Sequence, residues 1–334
     1  MERKSNIELL RIVCMLMIIL WHINIGFGGD KNLATFSLGN IINAVTVVGV
    51  NCFVLISGYF GIKFRLKALI SLLLQCLFYS IVISVACHET IGSNIDFKML
   101  FLPISSDVWW FMTVYVMLYL SAPLLNKALD GMSMKGTLFS LLSFLIINIW
   151  FGYCFKNDNN PSGHSYLQFV LMYLIGRMIS FCRANVTCDF GRYSKFLFVN
   201  SGGAMLAFVI LICINMFFIK SYRYNNPLVV LSSVAIFIVF FNMKIGSIRQ
   251  VNLLASTVVA AYLIHEHPQI RPLLAEKVMI IHNSFPVYYE ILLFLLIAFS
   301  FIVLGFFVEK IRRFLMNPLI NSVFNRIENK RYKI

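Results

Sequence analysis

Ten predominantly apolar stretches follow one another along the 334-residue chain, and they limit its fold more than any other feature. They cover residues 7–27, 41–60, 66–87, 108–126, 136–153, 165–182, 197–219, 226–243, 251–266 and 285–308, and the ninth is short for a full span. A helix needs about 20 apolar residues to cross the hydrocarbon core of a bilayer. Because each stretch is apolar around much of its circumference, these stretches predict transmembrane helices and not the strands of a membrane barrel.

The composition agrees with a membrane protein. Hydrophobic residues make up 60% of the chain and charged residues 13%, whereas a soluble domain carries roughly 25% charged residues. We therefore expect an all-α polytopic membrane protein whose partner is the lipid bilayer. No polar linker separates domains, so we predict one transmembrane domain over residues 1–309 and a basic cytoplasmic tail over residues 310–334.

The distribution of positive charge predicts the orientation. If the N-terminus lies inside, 19 of the 28 Lys and Arg residues fall in internal segments and 7 in external loops, while Arg11 and Arg177 lie within spans. This bias follows the positive-inside rule and places both termini in the cytoplasm, with the chain in the cytoplasmic membrane. Because the positive charges flank the spans, the net charge of +14 does not indicate a nucleic-acid partner.

The first apolar stretch contains three ionisable residues, Glu8, Arg11 and His22. Arg11 and His22 are eleven residues apart, so a helix places them on one face about 16 Å from each other along its axis. Glu8 precedes Arg11 by one turn and can pair with it. Ionisable residues within a span are functional candidates, and an imidazole suits proton transfer near neutral pH. The alternatives are a snorkelling Arg11 paired with Glu8 and an interhelical hydrogen bond from His22.

The Arg-x10-His pattern of Arg11 and His22, preceded by NIELL, resembles the opening of the membrane-bound acyltransferase family 3 proteins. Many members of that family have Asp where this chain has Glu8. NCFVLISGYFGIKFR resembles the end of the family's second helix, with Lys63-Phe64-Arg65 in place of an Arg-x-Arg element. VWWFMTVYVMLYLSAPLLN, LMYLIGR and AYLIHEHP resemble later family segments, so the resemblance covers residue 6 to about residue 270.

The resemblance implies an O-acetyltransferase that uses acetyl-coenzyme A and modifies sugars or other acceptors across the cytoplasmic membrane. It implies catalytic roles for His22, Arg11 and Glu8. The predicted topology places Ser57, Lys63 and Arg65 at the cytoplasmic face with Arg11, and a cationic cluster there suits the phosphates of coenzyme A. The positive-inside rule alone is the alternative explanation for Lys63 and Arg65.

The acceptor site is predicted at the outer ends of two other spans. His265 and Glu266 end the ninth span at a depth similar to that of His22, and Trp109 and Trp110 begin the fourth span. We hypothesise one outer pocket containing His22, Trp110, His265 and Glu266, where a hydroxyl of an exported or lipid-linked glycan meets the thioester. Alternatively, the two Trp residues anchor the chain at the interface, and His265 and Glu266 mark the boundary with water.

In this hypothesis His22 is the general base for the attacking hydroxyl, and a covalent acyl-histidine is the competing mechanism. We expect no metal, because no ligands occur at metal-site spacing in the sequence. A secondary transporter of a small solute or glycan and a non-catalytic scaffold or receptor are the alternative function classes. A transporter often has two related halves, and we find no such internal symmetry. No pattern in the sequence indicates the oligomeric state or the identity of the acceptor.

Overall fold

The computed structural model describes residues 4–26, 38–155, 160–184 and 201–331. These residues form helices and no strand, which confirms the predicted all-α fold. The helices are α1 (Ser5–Gly26), α2 (Leu38–Thr46), α3 (Val48–Phe60), α4 (Leu66–Ile91), α5 (Phe97–Phe101), α6 (Trp110–Asp130), α7 (Met134–Ile146), α8 (Tyr166–Ala184), α9 (Ser201–Ile214), α10 (Pro227–Asn242), α11 (Arg249–Ala255), α12 (Val258–His265), α13 (Arg271–Ser284) and α14 (Val287–Arg331). Wider π-helical turns extend α7 over Ile147–Cys154 and α9 over Asn215–Ile219.

Within the described residues, seven helical segments are long and apolar enough to cross a membrane. They are Ser5–Asn24, Leu38–Phe60, Leu66–Ile91, Trp110–Asp130, Met134–Cys154, Ser201–Ile219 and Val287–Arg326. Helices α8 and α10 are apolar but shorter, and the α11–α12 pair is interrupted at Ser256 and Thr257. Each predicted apolar stretch thus coincides with one helix or with a broken pair. The chain is a multi-pass membrane protein, and the count of ten spans and the orientation stay predictions.

The structure contains helices that the apolar pattern did not predict. Helix α13 occupies part of the predicted external loop before the last span, where RPLLAEKVMIIHNS is too polar to count as a span. Helix α14 continues to Arg331, so most of the predicted basic tail extends the last helix. The domain boundary at residue 309 stays a prediction.

Helix α1 lies at the centre of the molecule. It packs against α2 and α3 and against each helix from α10 to α14. Its residues Leu10, Cys14 and Ile19 are fully buried, whereas large apolar side chains such as Phe139 and Phe218 on α7 and α9 are exposed, as lipid-facing residues are. The ionisable residues of α1 therefore lie inside the helix bundle.

Candidate active site

Two histidines from opposite ends of the chain meet inside the bundle. His22 Nδ1 lies 2.9 Å from His265 Nε2, and the ring centroids are 5.2 Å apart. His22 belongs to the last turns of α1, and His265 is the last residue of α12. A small residue lets α14 pack closely against the helix that carries His265: a Cβ at Gly305 of α14 would lie 2.7 Å from the backbone nitrogen of Ala261. The interhelical contact brings together residues that the sequence separates by 243 positions.

The hydrogen bonds of His265 define the tautomers of both neutral rings. His265 Nδ1 lies 2.7 Å from the carbonyl oxygen of Ala261. A carbonyl only accepts, so Nδ1 of His265 carries its proton and Nε2 is an acceptor. His22 must then donate from Nδ1 to His265 Nε2. The nitrogen of His22 that remains free to accept a proton is Nε2.

A buried carboxylate lies beside the same histidine. Glu266 Oε1 is 3.1 Å from His22 Nδ1 and 3.6 Å from Arg271 Nε. The Glu266 residue is 6% exposed, and its Oε1 accepts no hydrogen bond from the described part of the chain. A carboxylate in this position stabilises the positive charge that His22 acquires when it takes a proton at Nε2.

A cavity of about 450 Å³ opens at this end of α1. His22, His265, Glu266 and Arg271 supply its polar lining, and Pro residues and aliphatic residues of the α13 region supply the rest. Its volume is that of a site for a small organic ligand. We call it the outer cavity.

His22 also lines a second, narrow cleft, which we call the inner cleft. Its other walls include Met15, Phe53, Trp110 and Tyr262. The free volume is about 20 Å³, room for about one water molecule. Trp110 is thus placed with His22 in the inner cleft and is absent from the lining of the outer cavity, where the other three hypothesised pocket residues meet.

At the other end of α1, the guanidinium of Arg11 is paired as the spacing predicts. Its Nη1 donates to both carboxylate oxygens of Glu8, at 2.9 and 3.1 Å. The side chain of Glu8 is 8% exposed and that of Arg11 is 30% exposed. Glu8 therefore holds Arg11 in place while leaving part of the guanidinium accessible.

The segment after α3 is held by hydrogen bonds from two neighbouring helices. The amide of Ile62 donates to Tyr173 Oη at 3.0 Å, and Asn126 Nδ2 donates to the carbonyl of Ile62 at 2.8 Å. The amide of Arg65 donates to Tyr119 Oη at 3.1 Å. The side chains of Lys63 and Arg65 are exposed, so a fixed backbone presents two accessible cations.

Ser57 precedes this segment on α3, and Arg177 of α8 packs against it. Ser57 Oγ donates to the carbonyl of Phe53 at 3.1 Å and lies 3.3 Å from Tyr115 Oη. The guanidinium of Arg177 packs against Gly61, where a Cβ would lie 2.9 Å from Nη1, and its Nη2 donates to Asp130 at 3.0 Å. Arg177 thus adds a third basic residue beside Lys63 and Arg65.

Comparison with known families identifies the protein class. The model of the acyltransferase domain of acyltransferase family 3 matches residues 4–310. The chain belongs to this family. The match confirms the resemblance seen in the sequence and favours a membrane acyltransferase over a transporter or a scaffold. No curated protein matches the chain, and no solved structure does.

Three residues of the candidate site lie close enough together to hold a metal ion. His22, His265 and Glu266 each offer a ligand atom, and these atoms lie within 4.8 Å of one another. Imidazole and carboxylate groups are zinc ligands. The expectation of no metal rested on local spacing, which cannot reveal residues that meet only in the fold. A metal bound at His22 Nδ1 would displace the hydrogen bond to His265 Nε2, so metal binding there and the base tautomer of His22 would exclude each other.

Two basic residues near the candidate site were not among the predicted site residues. Arg177 lies in the LMYLIGR segment, but it was counted only as a charge within a span. Arg271 begins α13 in a predicted external loop, and no sequence signal places it beside Glu266.

Proposed function

We propose that the acyltransferase moves an acetyl group from cytoplasmic acetyl-coenzyme A to a hydroxyl of an exported or lipid-linked glycan in the cytoplasmic membrane. One observation carries the proposal: His22, with Nε2 free, lines both the outer cavity and the inner cleft. A single imidazole is therefore adjacent to two compartments, one for each substrate. The size of the outer cavity supports an acceptor no larger than a few sugar units at a time.

The donor binds from the end of α1 that holds Arg11. The phosphates of coenzyme A are bound by Arg11, Lys63 and Arg65, with Ser57 and Arg177 beside them, because guanidinium groups form paired hydrogen bonds with phosphate. The pantetheine arm extends along α1 toward His22. The distance of about 16 Å along the helix is within the reach of that arm.

His22 acts as the general base. Its Nε2 takes the proton of the acceptor hydroxyl while the hydroxyl oxygen attacks the thioester carbonyl. The tetrahedral intermediate then collapses, the carbon–sulfur bond breaks, and the proton moves from Nε2 to the leaving thiolate. His265 keeps the tautomer of His22 through the Nδ1 hydrogen bond, and Glu266 stabilises the imidazolium.

A covalent acyl-histidine uses the same free nitrogen as a nucleophile and forms the competing mechanism. In that case the acetyl group moves first to Nε2 of His22 and then to the acceptor. Incubating the enzyme with radiolabelled acetyl-coenzyme A in the absence of acceptor distinguishes the two. A burst of free coenzyme A that matches the enzyme concentration indicates the covalent route, and its absence indicates direct transfer.

The proposed reaction needs no metal ion, since the hydrogen-bonded pair already prepares His22 as a base. Activity should be the same before and after dialysis against EDTA, and added zinc should inhibit by taking His22 Nδ1. Loss of activity on chelation that zinc restores would replace this mechanism with a metal-dependent one.

The test of the function measures acetyl-coenzyme A binding and acetyl transfer to a cell-envelope glycan extract by the detergent-purified protein. The wild type should bind the donor and transfer the label, and His22→Ala should bind it without transfer. His88→Ala is the matched control, because His88 is exposed at the end of α4 and its ring nitrogen bonds only to the nearby Ser93 carbonyl among the interactions described for it. A wild type that binds no coenzyme A would overturn the proposal.

A further inference from the structure

The inner cleft contains a polar group for which the packing gives no structural use. Tyr262, in α12, is 5% exposed, and its hydroxyl is buried without a hydrogen-bond partner that meets normal geometry in the described part of the chain. Buried hydroxyls are normally paired, because an unpaired one loses its hydrogen bonds to water without replacement. Tyr262 precedes His265 by one helical turn, so both side chains project from the same side of α12.

The surroundings of Tyr262 leave the proton of its hydroxyl without an acceptor. Its ring lies 5.7 Å from that of Phe111 and 5.9 Å from that of His265, centroid to centroid. The hydroxyl has no hydrogen-bond partner among the described residues, so its proton has no acceptor there.

The same cleft holds the base of the proposed reaction. His22 and Tyr262 both line it, and most of the other walls, including Met15 and Phe53, are apolar. A hydrogen-bond donor in apolar surroundings interacts strongly with developing negative charge, because no water competes for it. The free volume of about 20 Å³ holds about one water-sized group, the size of the carbonyl oxygen that would lie beside Tyr262.

We propose that the Tyr262 hydroxyl donates a hydrogen bond to the carbonyl oxygen of the acyl thioester and stabilises the negative charge that forms on it. The inference rests on the proposed acyl transfer and names a catalytic residue for it. When the acceptor oxygen bonds to the carbonyl carbon, the carbonyl π electrons move to the oxygen beside Tyr262. When the carbon–sulfur bond breaks, they return, the proton held by His22 goes to the thiolate, and Tyr262 keeps its own proton throughout.

Other unpaired or basic groups near the site do not fit this role. Trp109 Nε1 is also buried without a partner, but Trp109 does not line the inner cleft, and its ring packs against His267 at 5.7 Å. Arg271 lines the outer cavity and is engaged with Glu266. Among the described residues, Tyr262 is the group that combines a proton without an acceptor with a place beside His22.

The substitution Tyr262→Phe tests the proposal, since it removes only the hydroxyl. The turnover number for acetyl transfer should fall about 100-fold, as expected for loss of one oxyanion donor. The affinity for acetyl-coenzyme A should stay within about twofold, since the bond strengthens only in the transition state. The melting temperature should be unchanged or higher, because the lost hydroxyl has no partner that its removal leaves unsatisfied.

Tyr79→Phe is the matched control. Tyr79 is fully buried, and its hydroxyl donates to Glu309 at 3.3 Å, outside both cavities. This variant should lose thermal stability and keep its turnover number. The opposite responses of the two variants separate a catalytic hydroxyl from a structural one.

A spectroscopic measurement adds a readout that a structural role would not change. In the His22→Ala background, the carbonyl stretch of bound ¹³C-labelled acetyl-coenzyme A should lie at a lower frequency than that of the unbound compound. Adding Tyr262→Phe should abolish this difference. Full turnover in Tyr262→Phe, or loss of donor binding together with turnover, would overturn this inference and leave the proposed function intact. Absence of acetyl transfer by the wild type would instead overturn the proposed function, and this inference with it.

Discussion

The carbonyl of Ala261 determines the protonation of both histidines in the site. Because it accepts from His265 Nδ1, His265 accepts from His22, and the free nitrogen of His22 is Nε2. In the proposed mechanism His265 is thus a positioning residue that acts through His22. The acid–base property of His22 depends on a main-chain group 239 positions away in the sequence.

Substitutions at His265 should separate its role in orienting His22 from the proton transfer that His22 performs. In His265→Ala the Nδ1 proton of His22 loses its acceptor, so the turnover number should fall about 10- to 100-fold with little change in the KM for acetyl-coenzyme A. His265→Gln supplies a carbonyl oxygen as an alternative acceptor and should recover part of the loss. Steady-state kinetics of the two variants check this prediction, and equal activity of His265→Ala and wild type would contradict it.

At the residue scale, the sequence identified the pairs that lie within one helix. Glu8 and Arg11 are one turn apart, so helical periodicity was sufficient to predict their ion pair. The meeting of His22 with His265 was predicted from similar depths in two spans, which is a weaker argument because depth does not determine which helices are neighbours. The position of Tyr262 beside His22 was not predicted, since the sequence gives no orientation for α12 about its axis.

At the scale of elements, the contact between α3 and α8 determines where the cationic segment after α3 lies. A Cβ at Gly176 of α8 would lie 2.6 Å from the backbone nitrogen of Tyr59 and closer still to the carbonyl of Leu55. Small residues of this kind allow the backbones of membrane helices to touch. Gly61 and Ile62 follow directly, so their position depends on this packing.

Gly176→Ala should therefore destabilise the bundle. The added methyl group meets backbone atoms that cannot rotate away, and overpacking of this kind costs about 1–3 kcal/mol. Gly131→Ala is the control, because Gly131 is exposed and a Cβ there would have ordinary contacts of 3.4 Å or more. Thermal unfolding in detergent should show a lower melting temperature for Gly176→Ala alone, and identical curves for both variants would refute the prediction.

Phe53 of α3 limits the size of the inner cleft, so Phe53→Ala should broaden donor choice. Removing the ring leaves room for a longer acyl chain, and the kcat/KM ratio of propionyl- to acetyl-coenzyme A should rise about tenfold. Phe139→Ala removes an exposed ring on α7 and should leave the ratio unchanged. If Phe53→Ala has the wild-type ratio in competition assays, the acyl group does not occupy this cleft.

The existence of the membrane helices was predictable, because the bilayer requires a minimum apolar length and each predicted stretch contains a helix. The breaks and widened turns within these helices were not predictable. The break at Ser256 and Thr257 and the π-helical turns in α7 and α9 lie inside stretches that the sequence presents as continuous apolar spans. Helix α13 was missed because its charges exclude it from a span, yet it forms a wall of the outer cavity.

At the scale of the whole molecule, one central helix connects two chemically different ends. Arg11 and Glu8 lie at the beginning of α1, and His22 lies near its end, where two cavities meet. The surrounding helices bury α1 and leave apolar surface toward lipid. In the proposed function, a donor that approaches from one face and an acceptor that approaches from the other react at one imidazole.

The most direct test of this account compares Arg11→Ala and His22→Ala in one pair of assays, acetyl-coenzyme A binding and transfer at saturating donor. Arg11→Ala should raise the Kd for the donor about tenfold or more, because charge-assisted hydrogen bonds to phosphate are lost, and should keep most of the turnover. His22→Ala should keep the Kd within about twofold and lose turnover by about 100-fold or more.

Arg326→Ala is the control, because Arg326 is exposed far along α14, and it should alter neither parameter. If both site variants change the same parameter, or if neither changes any, α1 does not have a binding end and a catalytic end and the account is contradicted.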